Sequence, residues 1–338
     1  MLTVQKIASF KKQLTESKKI TIITHYNPDG DALGASLALY SFFKQRGNNV
    51  RCIAPNSFPN YLDWMPEREN IIMAHRQLIT AKKIISESDI IFVVDMNAAH
   101  RAGKDLETSI LESNAYKVMI DHHPNPNMFC NIIYSSTKST SACEMVYRFL
   151  MECFGDKNLI TFEVATCIYT GIITDTGSLS YICNDPKTYA ILEHLISIGV
   201  DGELVHRMVY DNYSESRLRL LSVGLKNLKI LYEHGTSYIV LSKQELVDND
   251  FKEGDTEGFV NYGLSIMGIN FTAFFLEREN RIRISFRSKD DFDVNIFAST
   301  YFTGGGHKNA SASYHYDTLE NTVKYFEDIV RNHPELKK

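Results

Sequence analysis

Ile20-Thr-Ile-Ile-Thr-His25-Tyr-Asn27-Pro-Asp29-Gly-Asp31 decides the fold. Ile20–Thr24 is an apolar, β-branched run and predicts a buried strand. A polar turn follows at once. Pro28 fixes the backbone and Gly30 frees it, so His25, Asp29 and Asp31 can gather round one point. Asp31 to Arg46 then reads as a helix, stopped by Gly47 in the favoured C′ position. A plain strand-to-helix turn with an Asp cap accounts for the piece almost as well.

Further along, Ile90–Val94 ends in Asp95, and Val118–Ile120 ends in Asp121-His122-His123. A fourth piece, Gly171-Ile-Ile-Thr-Asp175-Thr-Gly177, is placed with these strand ends. Asp95 alone reads as a helix cap and Asp175 alone as a helix-end turn. Three adjacent polar residues after a buried strand are harder to place unless something binds them. Strand ends of parallel sheets are where α/β folds bind ligands. Imidazoles with carboxylates suit Mn²⁺ or a similar first-row ion. So many hard ligands suggest two ions, the arrangement used for in-line attack on phosphorus.

The alternation continues with a second strand at Val50–Ala54, and Ser141-x-x-Glu144 forms a capping box for a helix running to Phe154. It predicts an α/β domain over residues 1–190, with a mostly parallel, doubly wound sheet. Residues 191–231 look helical, broken at Gly199, and are expected to be a linker. After Gly235 the signals become α+β, with strands at Tyr238–Leu241, Phe271–Leu276 and Arg281–Phe286. Helices are expected near Val294–Thr300 and Leu319–Val330. Residues 232–338 form the expected second, smaller domain.

Of 338 residues, 44% are hydrophobic and 23% charged, ordinary for a globular protein. The net charge of −5 argues against long nucleic acid or an anionic membrane as partner. Six cysteines without a C-x-x-C pair are expected to be reduced cytoplasmic thiols. Neither a signal peptide nor a membrane span is legible.

In the second half, Arg281, Arg283 and Arg287 alternate with Ile282, Ile284 and Phe286, so the arginines share a strand face. Such a row suits bidentate phosphate contacts, although a solvated basic face is common. Gly304, Gly305, Gly306 and His307 follow, and side-chain-free backbone lets N–H groups approach an anion closely.

In order and spacing, the four pieces resemble the motifs of the DHH phosphoesterases, and Gly304–His307 resembles the signature of their DHH-associated C-terminal domain. The length is similar to the two-domain oligoribonuclease and 3′-phosphoadenosine-5′-phosphate phosphatase type. The resemblance implies two Mn²⁺ ions, one held by His25, Asp29 and Asp95 and the other by Asp31, Asp95, His122 and Asp175. It implies a hydroxide nucleophile between the ions, His123 facing the phosphate, and Asp121 orienting a histidine. Asn27 would position phosphate or water, and Arg101 would touch phosphate, though a surface arginine is an equal reading. The C-terminal domain would grip the nucleotide, with the active site in the cleft between the domains. One departure is Ala310-Ser311-Ala312, where the family often has Ala-Ala-Gly.

The resulting expectation is a cytoplasmic hydrolase of short oligoribonucleotides and 3′-phosphoadenosine-5′-phosphate, acting on small nucleotides and able to form a homodimer. Hydrolysis of linear or cyclic dinucleotides is the close competitor, and a non-catalytic nucleotide-binding module is the alternative of a different class.

Overall fold

The computed structural model describes residues 2–14, 18–181 and 183–336. The chain divides into two compact units, Met1–Asn212 and Tyr213–Lys338.

In the first unit the elements run α1 (Val4–Gln13), β1 (Lys19–Ile23), α2 (Gly30–Lys44), β2 (Asn49–Ala54), β3 (Ile71–Met73) and α3 (Leu78–Ser86). They continue with β4 (Ile90–Val94), α4 (Lys104–Glu112), β5 (Tyr116–Asp121), β6 (Ile132–Ser135), α5 (Ala142–Phe154), α6 (Phe162–Asp175), α7 (Pro186–Ser197) and α8 (Gly202–Tyr210). The sheet order is β3-β2-β1-β4-β5-β6, and every pairing is parallel. Both faces are covered. Ile20 and Ile22 pack with Leu33, Phe43, Phe149 and Ile168 from α2, α5 and α6. Ile23, Ile91, Val93 and Met119 pack with Ile85 and Ile110 from α3 and α4. The strand order reverses between β1 and β4, and a ligand crevice opens outside the carboxyl ends at such a switch point. His25 and Asp95 follow these two strands.

In the second unit come α9 (Glu215–Lys226), β7 (Lys229–Leu231), β8 (Thr236–Leu241), α10 (Lys243–Asp248), α11 (Phe259–Leu264), β9 (Phe271–Arg278) and β10 (Arg281–Ser288). They are followed by α12 (Val294–Tyr301), β11 (Thr303–His307), β12 (Ala310–His315) and α13 (Leu319–Asn332). The mixed sheet has the order β11-β12-β10-β9-β8-β7, with β8 and β9 parallel. Phe271, Phe286, Phe297 and Phe326 centre one core between sheet, α12 and α13. Leu220, Ile239, Phe259 and Phe274 make the other, beneath α9 and α11.

The architecture is the expected α/β one, but the separate 191–231 linker is not found. Leu192, Leu195, Val205 and Val209 bury α7 and α8 in the first core, while Leu220 buries α9 in the second. Apolar faces on three short helices have to be covered, and each took the nearer core.

Candidate active site

The first unit concentrates its acids and imidazoles at the carboxyl end of the sheet. Asp29 caps α2, its Oδ1 accepting from the Asp31 and Ala32 N–H groups at 3.0 and 3.1 Å. Asp31, in the first turn of α2, is buried. Its carboxylate accepts from the Ala142 and Cys143 N–H groups at 2.6 and 2.9 Å. Those are the first amides of α5, where a negative charge is favoured. Ser141 caps this helix through the Glu144 N–H at 3.0 Å. The box is shifted, because Glu144 turns its carboxylate to the Thr140 N–H instead of that of Ser141.

Asp95 stands at the centre. Its Oδ2 lies 3.2 Å from His25 Nε2. Its Oδ1 lies 3.4 Å from both His122 Nε2 and His123 Nδ1. Neither of the latter approaches has hydrogen-bond geometry, so Oδ1 is a buried oxygen without a bonding partner. His122 Nε2 is also 3.8 Å from Asp31 and 3.5 Å from Asp175. Asp121 accepts from the His123 N–H at 3.1 Å and pairs with its Nδ1 at 2.8 Å, fixing that ring.

Asp175 ends α6 and does not follow a strand. The expectation of four strand ends is corrected here: three are strand ends and one is a helix end. A carboxylate at a helix C-terminus opposes the dipole and calls for a nearby cation.

The crowding shifts the protonation equilibria. Burial, then the charges of Asp95 and Asp175, hold Asp31 well above the carboxylate range. Burial pushes Asp95 up too, but the imidazoles of His122, His25 and His123 hold it well below. For His122, burial lowers the pKa, yet Asp175, Asp95 and Asp31 raise it well above the usual value. His25 is raised in the same way, Asp95 and Asp29 outweighing burial.

These groups fit a metal. His25, Asp29 and Asp95 bring ligand atoms within 4.8 Å of one another, and so do Asp31, His122 and Asp175. The orphaned Asp95 Oδ1 sits beside both sets, and carboxylate–imidazole shells suit first-row divalent ions.

Arg101 lies in a short 3₁₀ turn after β4, with a buried Nη1 that has no hydrogen-bond partner. Asn27 adopts a left-handed φ of +56°. Its side-chain oxygen accepts from Asn56 Nδ2 at 2.7 Å. Asn56 escapes a sequence reading. The signal was faint: a polar residue just past the strand next to β1.

In the second unit, Arg281, Arg283 and Arg287 do share the more exposed face of β10, whose burial alternates as expected. Arg281 stacks 4.1 Å over the ring of Tyr314. In the sheet register, His307, Ala310 and Arg287 make one row. Gly304–Gly306 are the glycines expected to let backbone N–H groups approach an anion closely. They lie in β11, an edge strand. A Cβ on Gly304 would collide with Ala312 O and Ser313 Oγ, so close pairing demands glycine. The Gly306 N–H already donates to Asn295 Oδ1 at 2.8 Å.

All six cysteines are unpaired. Among the described residues no helix is long and apolar enough to cross a membrane.

Fold and cluster define the class: a two-unit α/β enzyme whose converging acids and imidazoles can hold metal for hydrolysis. Comparison with known proteins narrows it. Residues 19–172 match the DHH family, N-terminal domain, and residues 235–332 match the DHHA1 domain. A crystal structure of an exopolyphosphatase-related protein from Bacteroides fragilis superposes with a TM-score of 0.93. It is 40% identical, over 98% of each chain. A Streptococcus mutans protein named probable bifunctional oligoribonuclease and PAP phosphatase NrnA is 28% identical over 95% of this chain and 98% of its own. The Bacillus subtilis bifunctional oligoribonuclease and PAP phosphatase NrnA is 24% identical over 93% of this chain and 95% of its own. The chain belongs to the DHH family with a DHHA1 domain, and it is a hydrolase acting on phosphoester bonds.

Proposed function

We propose that the protein is a Mn²⁺-dependent phosphoesterase that cuts short oligoribonucleotides to 5′-mononucleotides and removes the 3′-phosphate of 3′-phosphoadenosine-5′-phosphate. The carrying observation is the pair of ligand sets, His25–Asp29–Asp95 and Asp31–His122–Asp175, meeting at the orphaned Asp95 oxygen. The substrate class comes from the activities named for the streptococcal and bacillar relatives.

Divalent ions in the two sets would supply Lewis acidity and a water of lowered pKa. The chain's own groups do the rest. The α5 amides keep Asp31 oriented. Asp121 holds His123 by Nδ1, so Nε2 is the atom that would donate to the phosphate or leaving oxygen. Arg101, with a buried guanidinium nitrogen lacking a partner, suits a phosphate oxygen. Arg281, Arg283, Arg287 and His307 would hold the nucleotide.

The test uses protein stripped with chelator and reloaded with Mn²⁺ or Mg²⁺. It is offered 3′-phosphoadenosine-5′-phosphate, linear dinucleotides, cyclic dinucleotides and a pentanucleotide. The expected result is turnover of the first two and the last, faster with Mn²⁺ because imidazole ligands disfavour Mg²⁺. Turnover of cyclic dinucleotides alone would transfer the function to them. Nucleotide binding without turnover under every metal would make the chain a binding module.

A further inference from the structure

The turn carrying His25 and Asp29 is held from both sides. From one, Tyr26 donates its N–H to the Arg101 carbonyl at 2.6 Å. From the other, the Asn27 N–H donates to Asn56 Oδ1 at 2.6 Å, and Asn56 Nδ2 donates to Asn27 Oδ1 at 2.7 Å. One side-chain amide thus engages both the backbone N–H and the side-chain oxygen of Asn27.

Asn27 needs such a clamp. Its φ of +56° is left-handed. Asn tolerates that region better than most residues, but it is still a minor conformation that the surroundings have to select. Asn56 can select it because of the sheet. β1 and β2 pair in register, Ile23 beside Ile53, and the Thr24 N–H still bonds the Ile53 carbonyl. The chains leaving the two strands therefore run side by side, with Asn56 level with the turn. His25 and Asp29 flank Asn27, two residues away on either side. Any change of φ at Asn27 swings one against the other. Their ligand atoms now converge within 4.8 Å of each other and of Asp95.

We propose that Asn56 is a positioning residue of this site: its paired hydrogen bonds lock the left-handed turn at Asn27 and so hold His25 and Asp29 against Asp95. The proposal rests on the reading of the cluster as a metal site. Asn56 belongs to none of the ligand sets and acts through Asn27. Groups outside the ligand set that fix ligand geometry commonly change metal affinity or activity by about 10–100-fold when removed.

The experiment measures Mn²⁺ affinity by calorimetry and, in metal-free full-length protein, amide exchange of the peptide covering residues 24–31. Asn56→Ala is expected to weaken Mn²⁺ by about 10–100-fold. Exchange of that peptide should rise about tenfold as the turn opens locally. The decisive comparison is the Asn27→Gly background. Glycine takes positive φ without help, so the clamp becomes redundant there. In that background Asn56→Ala should change affinity by less than about twofold. Equal losses in both backgrounds, or unchanged exchange in Asn56→Ala, would overturn the proposal. If Asn56→Ala does not fold, Asn56→Asp carries the same comparison, since it keeps the acceptor and loses the donor. A wild-type protein that binds no Mn²⁺ sinks the metal reading, and the exchange experiment still decides the role of Asn56.

Discussion

His122 and His123 are neighbours in sequence, yet their surroundings give them different work. His122 Nε2 faces three carboxylates within 3.8 Å, whereas His123 Nδ1 is paired to Asp121 at 2.8 Å. His122→Ala should lose one metal ion and all turnover. His123→Ala should keep its metal and slow the chemical step by roughly 10²–10⁴-fold, as loss of a general acid does. Atomic emission with single-turnover kinetics reads both, and a reversed pattern would exchange the roles. The same residues show what the sequence makes legible. His25, Asp95, Asp121 and His122 stand out because a charged or imidazole side chain ends a buried apolar run. Asn56 and the Ala142 and Cys143 amides do not stand out. Nothing in their chemistry is unusual, and only the fold brings them to Asn27 and Asp31.

Between elements, α2 approaches α6 closely. A Cβ on Gly34 would come within 2.6 Å of the Cys167 carbonyl. One on Gly171 would collide with Cys143 Sγ and come 2.9 Å from Asp31 Oδ1. The helices carrying Asp31 and Asp175 therefore meet through glycines. Gly171→Ala should lower stability by about 1–3 kcal/mol, the usual range for overpacking. Because Asp31 has to move, metal affinity should fall as well, which calorimetry on the folded variant would detect. Unchanged affinity would mean that α6 shifts as a body and Asp31 stays. Long periodic helices such as α2 and α5 are legible from sequence. The three-residue β3 and the four-residue β6 are not, being too short for a period to show. The triple glycine is legible only in part: it signals close backbone approach without saying what approaches, and β12 is one such neighbour.

At the scale of the molecule, each unit has its own core, and both ligand sets, His25–Asp29–Asp95 and Asp31–His122–Asp175, lie before Asn212. A chain ending at Asn212 should melt cooperatively and bind Mn²⁺ like the full protein, while its KM for nucleotides rises steeply. If KM is unchanged, the arginine face of β10 is merely solvated. With a net charge of −5 and the arginines gathered on one strand, only a few phosphates can be neutralised. Oligomers of about two to five nucleotides should be cut faster than one of about 20, where counterion release would need a longer basic track. Equal rates, followed by gel electrophoresis, would refute this.

Beyond Asp175 the backbone makes an uncommon turn. Gly177, Ser178 and Leu179 are successively left-handed, with φ of +55°, +57° and +63°, and for leucine that conformation is strained. The turn hangs from Thr176, whose hydroxyl and carbonyl accept the N–H groups of Leu179, Ser180 and Tyr181. Just before it, an acid opposes the helix dipole. Charge neutralisation at Asp175 would quieten this stretch, and its absence would leave it the first to fray. The lifetime of the enzyme among proteases would then follow the supply of metal, with molecules made in ion-poor conditions nicked near residues 177–181 and loaded ones spared.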